Sequence, residues 1–93
     1  MKASRSEVYA VIDGERAYQK DRWEGHVDVT SGHTDLEDRR IDEWILYMEE
    51  YLSKARHASV HGDELEGLHM IRKVTSLGVA CMEACGAPKR EGY

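Results

Sequence analysis

Residues 63–88, DELEGLHMIRKVTSLGVACMEACGAP, decide how this chain folds. The stretch opens on Asp63, whose short carboxylate suits the first free amides of a helix, and Glu66 follows three residues on. It closes on Gly86 and Pro88, a residue that tolerates a left-handed turn and one that cannot continue a helix. These signals predict a helix over 63–86. Leu65, Leu68, Ile71, Thr75, Val79 and Met82 share one face, and Met70, Val74, Leu77, Cys81 and Cys85 share a second, nearly opposite one. From Val74 to Cys85 the single charged residue is Glu83. A helix apolar on nearly all sides asks to be covered on all sides, which two companion helices cannot do. The pattern therefore predicts a homo-oligomer, dimer or higher, with the small residues Gly78, Ala80 and Ala84 allowing close helix approach.

Working outward, residues 56–62 (RHASVHG) read as a connection, and a second helix is expected over about 35–56. Thr34 and Glu37 have capping-box spacing at its start. Ile41, Trp44, Ile45, Met48, Tyr51, Leu52 and Ala55 form its apolar stripe, with Arg39, Arg40, Glu43, Glu50 and Lys54 away from it. Glu50 and Lys54 make a favourable i,i+4 pair. Leu46 and Tyr47 interrupt the polar back and offer a second contact. A first helix is expected over about 5–23, opened by the capping box Ser4–Glu7 and carrying Val8, Val11, Ile12, Tyr18 and Trp23 at helical spacing. Residues 24–34 (EGHVDVTSGHT) read as a loop, in which Val27 and Val29 give only a weak strand alternation. The expected fold is all-α: one domain over 1–93, a three-helix antiparallel bundle completed by homo-oligomerisation.

Composition narrows the function classes. The chain has 93 residues, a net charge of -5, 33% charged and 41% hydrophobic residues, which is globular rather than disordered. An acidic balance argues against duplex nucleic acid as the main partner, because phosphate neutralisation needs a basic face. No stretch approaches the roughly 18 apolar residues of a membrane span, and the N-terminus lacks a signal-peptide core, so no membrane partner and a cytoplasmic location are expected. Cys81 and Cys85, four apart on one helix, have poor geometry for a bridge and read as reduced, buried thiols.

The residues that could carry chemistry are few. Glu15 falls in the middle of the apolar side of the first helix. A carboxylate is expensive to bury alone, so it either contacts a ligand or metal, with Gln19 one turn on, or pairs with an arginine from another helix, Arg72 being the obvious choice. Arg72 points inward by pattern and, with Lys73 and His69, could hold a phosphate or close that salt bridge. His26, Asp28, His33 and Asp35 cluster in the loop, and His57 and His61 are spaced i,i+4, but no recognised metal-ligand spacing occurs and solvated histidines are expected. There is no nucleophile elbow, P-loop or dinucleotide fingerprint.

Three segments in order, ERAYQKDRW (15–23), EWILYMEEYLSKA (43–55) and IRKVTSLGVACMEACGAPKR (71–90), resemble small phage-encoded proteins grouped with the MazG-like, all-α nucleoside triphosphate pyrophosphatases. The resemblance implies helices packed as oligomeric bundles and carboxylates that hold Mg²⁺ against a triphosphate. The family's ExxE and ExxD pairs are absent from this chain, and the third helix offers His69, Arg72 and Lys73 where acids would stand. The resulting expectation is a helical homo-oligomer that binds a nucleotide or nucleotide signal without turning it over, in a phage setting a sequestering, anti-defence role in the host cytoplasm. Its ligand contacts would be Arg72, Lys73, His69, Glu15 and Gln19, with Tyr18, Trp23 or Trp44 stacking on a base. The alternatives are a Mg²⁺-dependent pyrophosphohydrolase using Glu15, Glu49 and Glu83, and a protein-binding inhibitor or structural oligomer that contacts its partner through Leu46 and Tyr47.

Overall fold

A computed structural model describes residues 2–23 and 39–93. They form α1 (Arg5–Trp23), α2 (Ile41–Val60) and α3 (Glu64–Cys85), and no strand occurs among the described residues. No helix among these residues is long and apolar enough to cross a membrane. The expected loop 24–34, with His26, Asp28, His33 and the Val27–Val29 alternation, lies outside the described residues, as do Asp35 and the Thr34–Glu37 capping box.

Local hydrogen bonds set the helix ends. At α1 the Glu7 amide donates to Ser4 Oγ at 3.2 Å and the Ser4 amide to Glu7 Oε1 at 3.4 Å, a reciprocal capping box. At α3 the Glu66 amide donates to Asp63 Oδ1 at 3.0 Å, and the Gly86 amide, at φ 120°, donates to the Met82 carbonyl.

The second helix departs from expectation at both ends. Arg39 and Arg40 are not helical, and α2 begins at Ile41. There the Glu43 carboxylate accepts from the Arg40 amide at 3.3 Å, but arginine has no acceptor to return the bond, so only half of a box forms. At the other end the helix continues through the expected connection to Val60. The stop comes from Gly62, at φ 78°, whose amide donates to the Ser59 carbonyl while the Asp63 amide donates to that of Ala58. That pair of bonds is a Schellman motif, and its left-handed residue is the glycine.

Helices α2 and α3 form an antiparallel hairpin with the core between them. Trp44, Leu77, Ala80 and Cys81 are buried together, with Met48, Tyr51 and Ala84 packed against them. The two backbones approach closely at Gly67, where a β-carbon would lie 3.7 Å from the Ala55 carbonyl oxygen. At Gly78 a β-carbon would instead meet a side chain, with Met48 Sδ 3.9 Å away. The small residues Gly78 and Ala80, expected to serve contacts between subunits, are therefore used inside the chain. Of the two cysteines, both free, Cys81 is buried and Cys85 is exposed, its thiol 3.9 Å from the Arg39 carbonyl oxygen at the open end of the hairpin.

Helix α1 lies against α3 by polar rather than apolar contacts. Its expected apolar residues Val8, Val11 and Tyr18 are exposed, whereas Gln19 is buried and Ile12, Glu15 and Arg16 are half-buried. Glu15 pairs with Arg72, Arg16 pairs with Glu83, and the fully buried Ser76 donates through Oγ to the Ile12 carbonyl at 3.4 Å. The small serine lets the α1 backbone come in close enough for that bond.

The second apolar face of α3 has no cover among the described residues. Leu65, Leu68, Ile71 and Met82 are 67%, 62%, 43% and 48% exposed. The face with Met70, Leu77 and Cys81 is the one that took α2.

Candidate functional site

The three helices meet around a pocket of about 320 Å³. Glu15, Tyr18, Gln19 and Arg22 line it from α1, Tyr51 from α2, and Lys73 and Leu77 from α3. The α1 residues are spaced i, i+3, i+4, i+7, so a single helical face supplies all of them. The volume falls at the lower end of the range usual for small-molecule sites.

Two cations stand in this pocket without a carboxylate partner among the described residues. Lys73 Nζ lies 5.7 Å from the centre of the Tyr51 ring, and the Arg22 guanidinium 5.8 Å from that of Tyr18. Such contacts hold a cation loosely, worth about 0.5–1 kcal/mol at exposed sites, and leave its hydrogen-bond donors free. Glu15, the pocket's acid, is already answered. Arg72 Nε donates to its Oε1 at 2.7 Å, with the two side chains 10% and 29% exposed. Arg72 also donates through Nη1 to His69 Nδ1 at 2.5 Å, which puts that ring's proton on Nε2. Gln19 is 5% exposed, and its Oε1 accepts no hydrogen bond in the described structure. A buried acceptor without a donor is a costly arrangement that an incoming donor would relieve.

The residues singled out from sequence divide clearly. Glu15, Tyr18, Gln19 and Lys73 come together here, with Arg72 and His69 behind Glu15. For Arg72 the structure selects the salt bridge from the two uses considered. Trp44 does not belong to the site. It is 1% exposed, deep between α2 and α3, and cannot stack on a ligand. Trp23 closes α1, and its side chain lies outside what is described. Arg22 and Tyr51 were missed. Arg22 sits seven residues after Glu15, on the same helical face, whereas Tyr51 was indistinguishable in sequence from its core neighbours.

The three carboxylates considered for catalysis do not converge. Glu83 is held by Arg16, with Nε donating to Oε2 at 2.5 Å and Nη2 to Oε1 at 3.3 Å. Glu49 lines a different groove between α2 and α3. Among the described residues no three His, Cys, Asp or Glu side chains are grouped so as to hold a metal ion, and His57 and His61 stack on each other with ring centres 4.1 Å apart. The donor set among the described residues of one chain therefore does not suit Mg²⁺. Leu46 is exposed as expected, and Tyr47, also exposed, accepts from Arg39 Nη1 at 2.8 Å.

The fold and this pocket define an all-helical protein with a small cationic, tyrosine-lined site. No family model, curated protein or solved structure matches the chain.

Proposed function

We propose that the pocket between the three helices binds a phosphate-bearing small molecule, a nucleotide or a nucleotide signal, and that the chain does so as a homo-oligomer, sequestering its ligand without turnover. The observation that carries this reading is the pairing of two uncommitted cations with an orphaned acceptor. Lys73 and Arg22 rest on tyrosine rings beside a buried Gln19 Oε1 that has no donor among the described residues. Phosphate oxygens accept from the lysine and the arginine fork. A base amino group or a ribose hydroxyl supplies the donor that Gln19 lacks, and Tyr18 or Tyr51 offers a ring to stack on. Sequestration fits better than hydrolysis because Glu15 and Glu83 are each engaged by an arginine, so neither is free to hold a metal or activate water. In a phage setting such a protein would withdraw a host defence signal.

Thermal shift against linear and cyclic nucleotides and inorganic phosphate tests the reading. A ligand at 100 times its dissociation constant stabilises the folded state by about 2.7 kcal/mol, several degrees for a domain of this size. Lys73→Ala and Gln19→Ala should each abolish the shift while leaving the helical content intact. No shift with any nucleotide at millimolar concentration overturns the proposal. Release of pyrophosphate from nucleoside triphosphates with Mg²⁺ replaces it with the enzyme reading.

A further inference from the structure

Along the side of α3 away from Lys73, α2 and α3 enclose a second, larger groove of about 660 Å³. Its floor is backbone at Ala55 and Gly67, and its walls are Leu52, Leu68 and Ile71, which are 52%, 62% and 43% exposed. Ile45 and Val60, on the same helix as Leu52, are also exposed. Two helices of 20 and 22 residues present a surface about 30 Å long. At about two helix diameters wide, that is roughly 600 Å², approaching the roughly 800 Å² per partner of a stable interface.

The charges beside the groove say what covers it. Its charged lining is Glu49 and Arg56 on α2 and Glu64 at the start of α3, and none of the three has an ion-pair partner among the described residues. The two on α2, Glu49 and Arg56, are seven residues apart, two helical turns, and stand symmetrically about Leu52 and Ser53. A surface whose opposite charges are placed symmetrically about its apolar centre is complementary to itself reversed, which is the requirement of a two-fold interface. We propose that a second copy of this chain docks here, antiparallel, across a two-fold axis that passes beside Leu52 and Ile71. Glu49 of each copy then meets Arg56 of the other, twice over. Leu52 and Ile71 close against their own counterparts, and Ile45 lies opposite Val60 of the second copy. The face of α3 left bare by the described residues is covered, and the result is a four-helix layer with an α1 on each outer side. This geometry rests on the homo-oligomer reading above and adds to it the surface, the direction and the register.

Light scattering after size exclusion and sedimentation equilibrium of the full chain read the assembly state. The wild type is expected to contain the dimer. Glu49→Arg and Arg56→Glu, both at exposed positions, should each weaken association at least about tenfold by setting like charges opposite one another. The double variant carrying both should recover it, with circular dichroism unchanged throughout. A wild type that stays monomeric at about 100 µM overturns both this interface and the homo-oligomer reading, and leaves the groove to a helix of another protein. An oligomer that both single variants leave intact overturns this interface alone. Single variants that dissociate without recovery in the double variant overturn the Glu49–Arg56 register.

Discussion

Arg72 on α3 donates to Glu15 on α1 at 2.7 Å, with His69 accepting from the same guanidinium, and this pair ties together two helices whose contact is otherwise mostly polar. A half-buried ion pair of this kind is strongly asymmetric, because removing one partner strands the other in a place poor in water. Glu15→Gln should therefore destabilise the fold by about 1–3 kcal/mol in urea titration. Hydrogen exchange should show the loss as faster exchange in α1 with α2 and α3 still protected. Uniform loss of protection across all three helices would contradict this account of α1.

Exposure separates the second α1 pair from the first. Arg16 is only 15% exposed, but the Glu83 side chain is 54% exposed, so solvent reaches the carboxylate and screens the contact from that side. Glu83→Gln should cost less than about 1 kcal/mol and lose that cost in high salt. A larger penalty than that of Glu15→Gln would invert the assignment of strong and weak ties.

Trp44 is 1% exposed, and its indole N–H has no acceptor among the described residues. Trp44→Ala should cost about 3–5 kcal/mol, through lost burial and the cavity left behind. Trp44→Phe keeps the ring and removes the unpartnered donor, so it should cost less than half as much. If the two variants prove equally damaging by chemical denaturation, the indole N–H has a partner after all.

Gly62 and Gly67 should respond oppositely to alanine. Gly62 sits at φ 78°, where a β-carbon is strained, and Gly62→Ala should lose about 1–2 kcal/mol. Gly67 lies within α3, and a β-carbon there meets the Ala55 oxygen at 3.7 Å, an ordinary contact. Gly67→Ala should raise stability by up to about 1 kcal/mol from helix propensity. Thermal midpoints that move the same way in both would count against the close but unstrained approach at Gly67.

Burial, with the neighbouring Cys85 thiol adding to it, pushes the Cys81 thiol above its ordinary value of 9.0. Iodoacetamide should therefore modify the exposed Cys85 first, and Cys81 only at higher pH or on unfolding. The folded state favours the protonated thiol, so its contribution to stability is intact below pH 9.0 and lost as pH rises toward the higher folded value. Equal labelling rates for the two cysteines at neutral pH would contradict this burial.

Much of the secondary structure was readable because helix ends depend on bonds spanning three or four residues. Ser4–Glu7, Asp63–Glu66 and Gly86 act over that distance, and their types announce them. The end of α2 was misplaced because RHASV is compatible with either helix or connection, and only the bonds around Gly62 choose between them. The candidate pocket was half legible. Glu15, Tyr18, Gln19 and Lys73 stood out by position on a helical face, but Arg22 and Tyr51 acquire meaning only from what lies across from them.

The sequence by itself determined that α3 has two apolar faces and that an acid and an arginine point inward from different helices. Tertiary structure alone decided which face took α2, that Glu15 meets Arg72, that Trp44 is buried and so removed from any site, and that Lys73 and Arg22 stand without an acid among the described residues. The reason is physical. A periodic pattern fixes the direction of a side chain around its own helix axis, while its partner depends on the packing of helices distant along the chain. That packing also leaves Leu68 and Ile71 bare beside Glu49 and Arg56, where the second copy is proposed to dock.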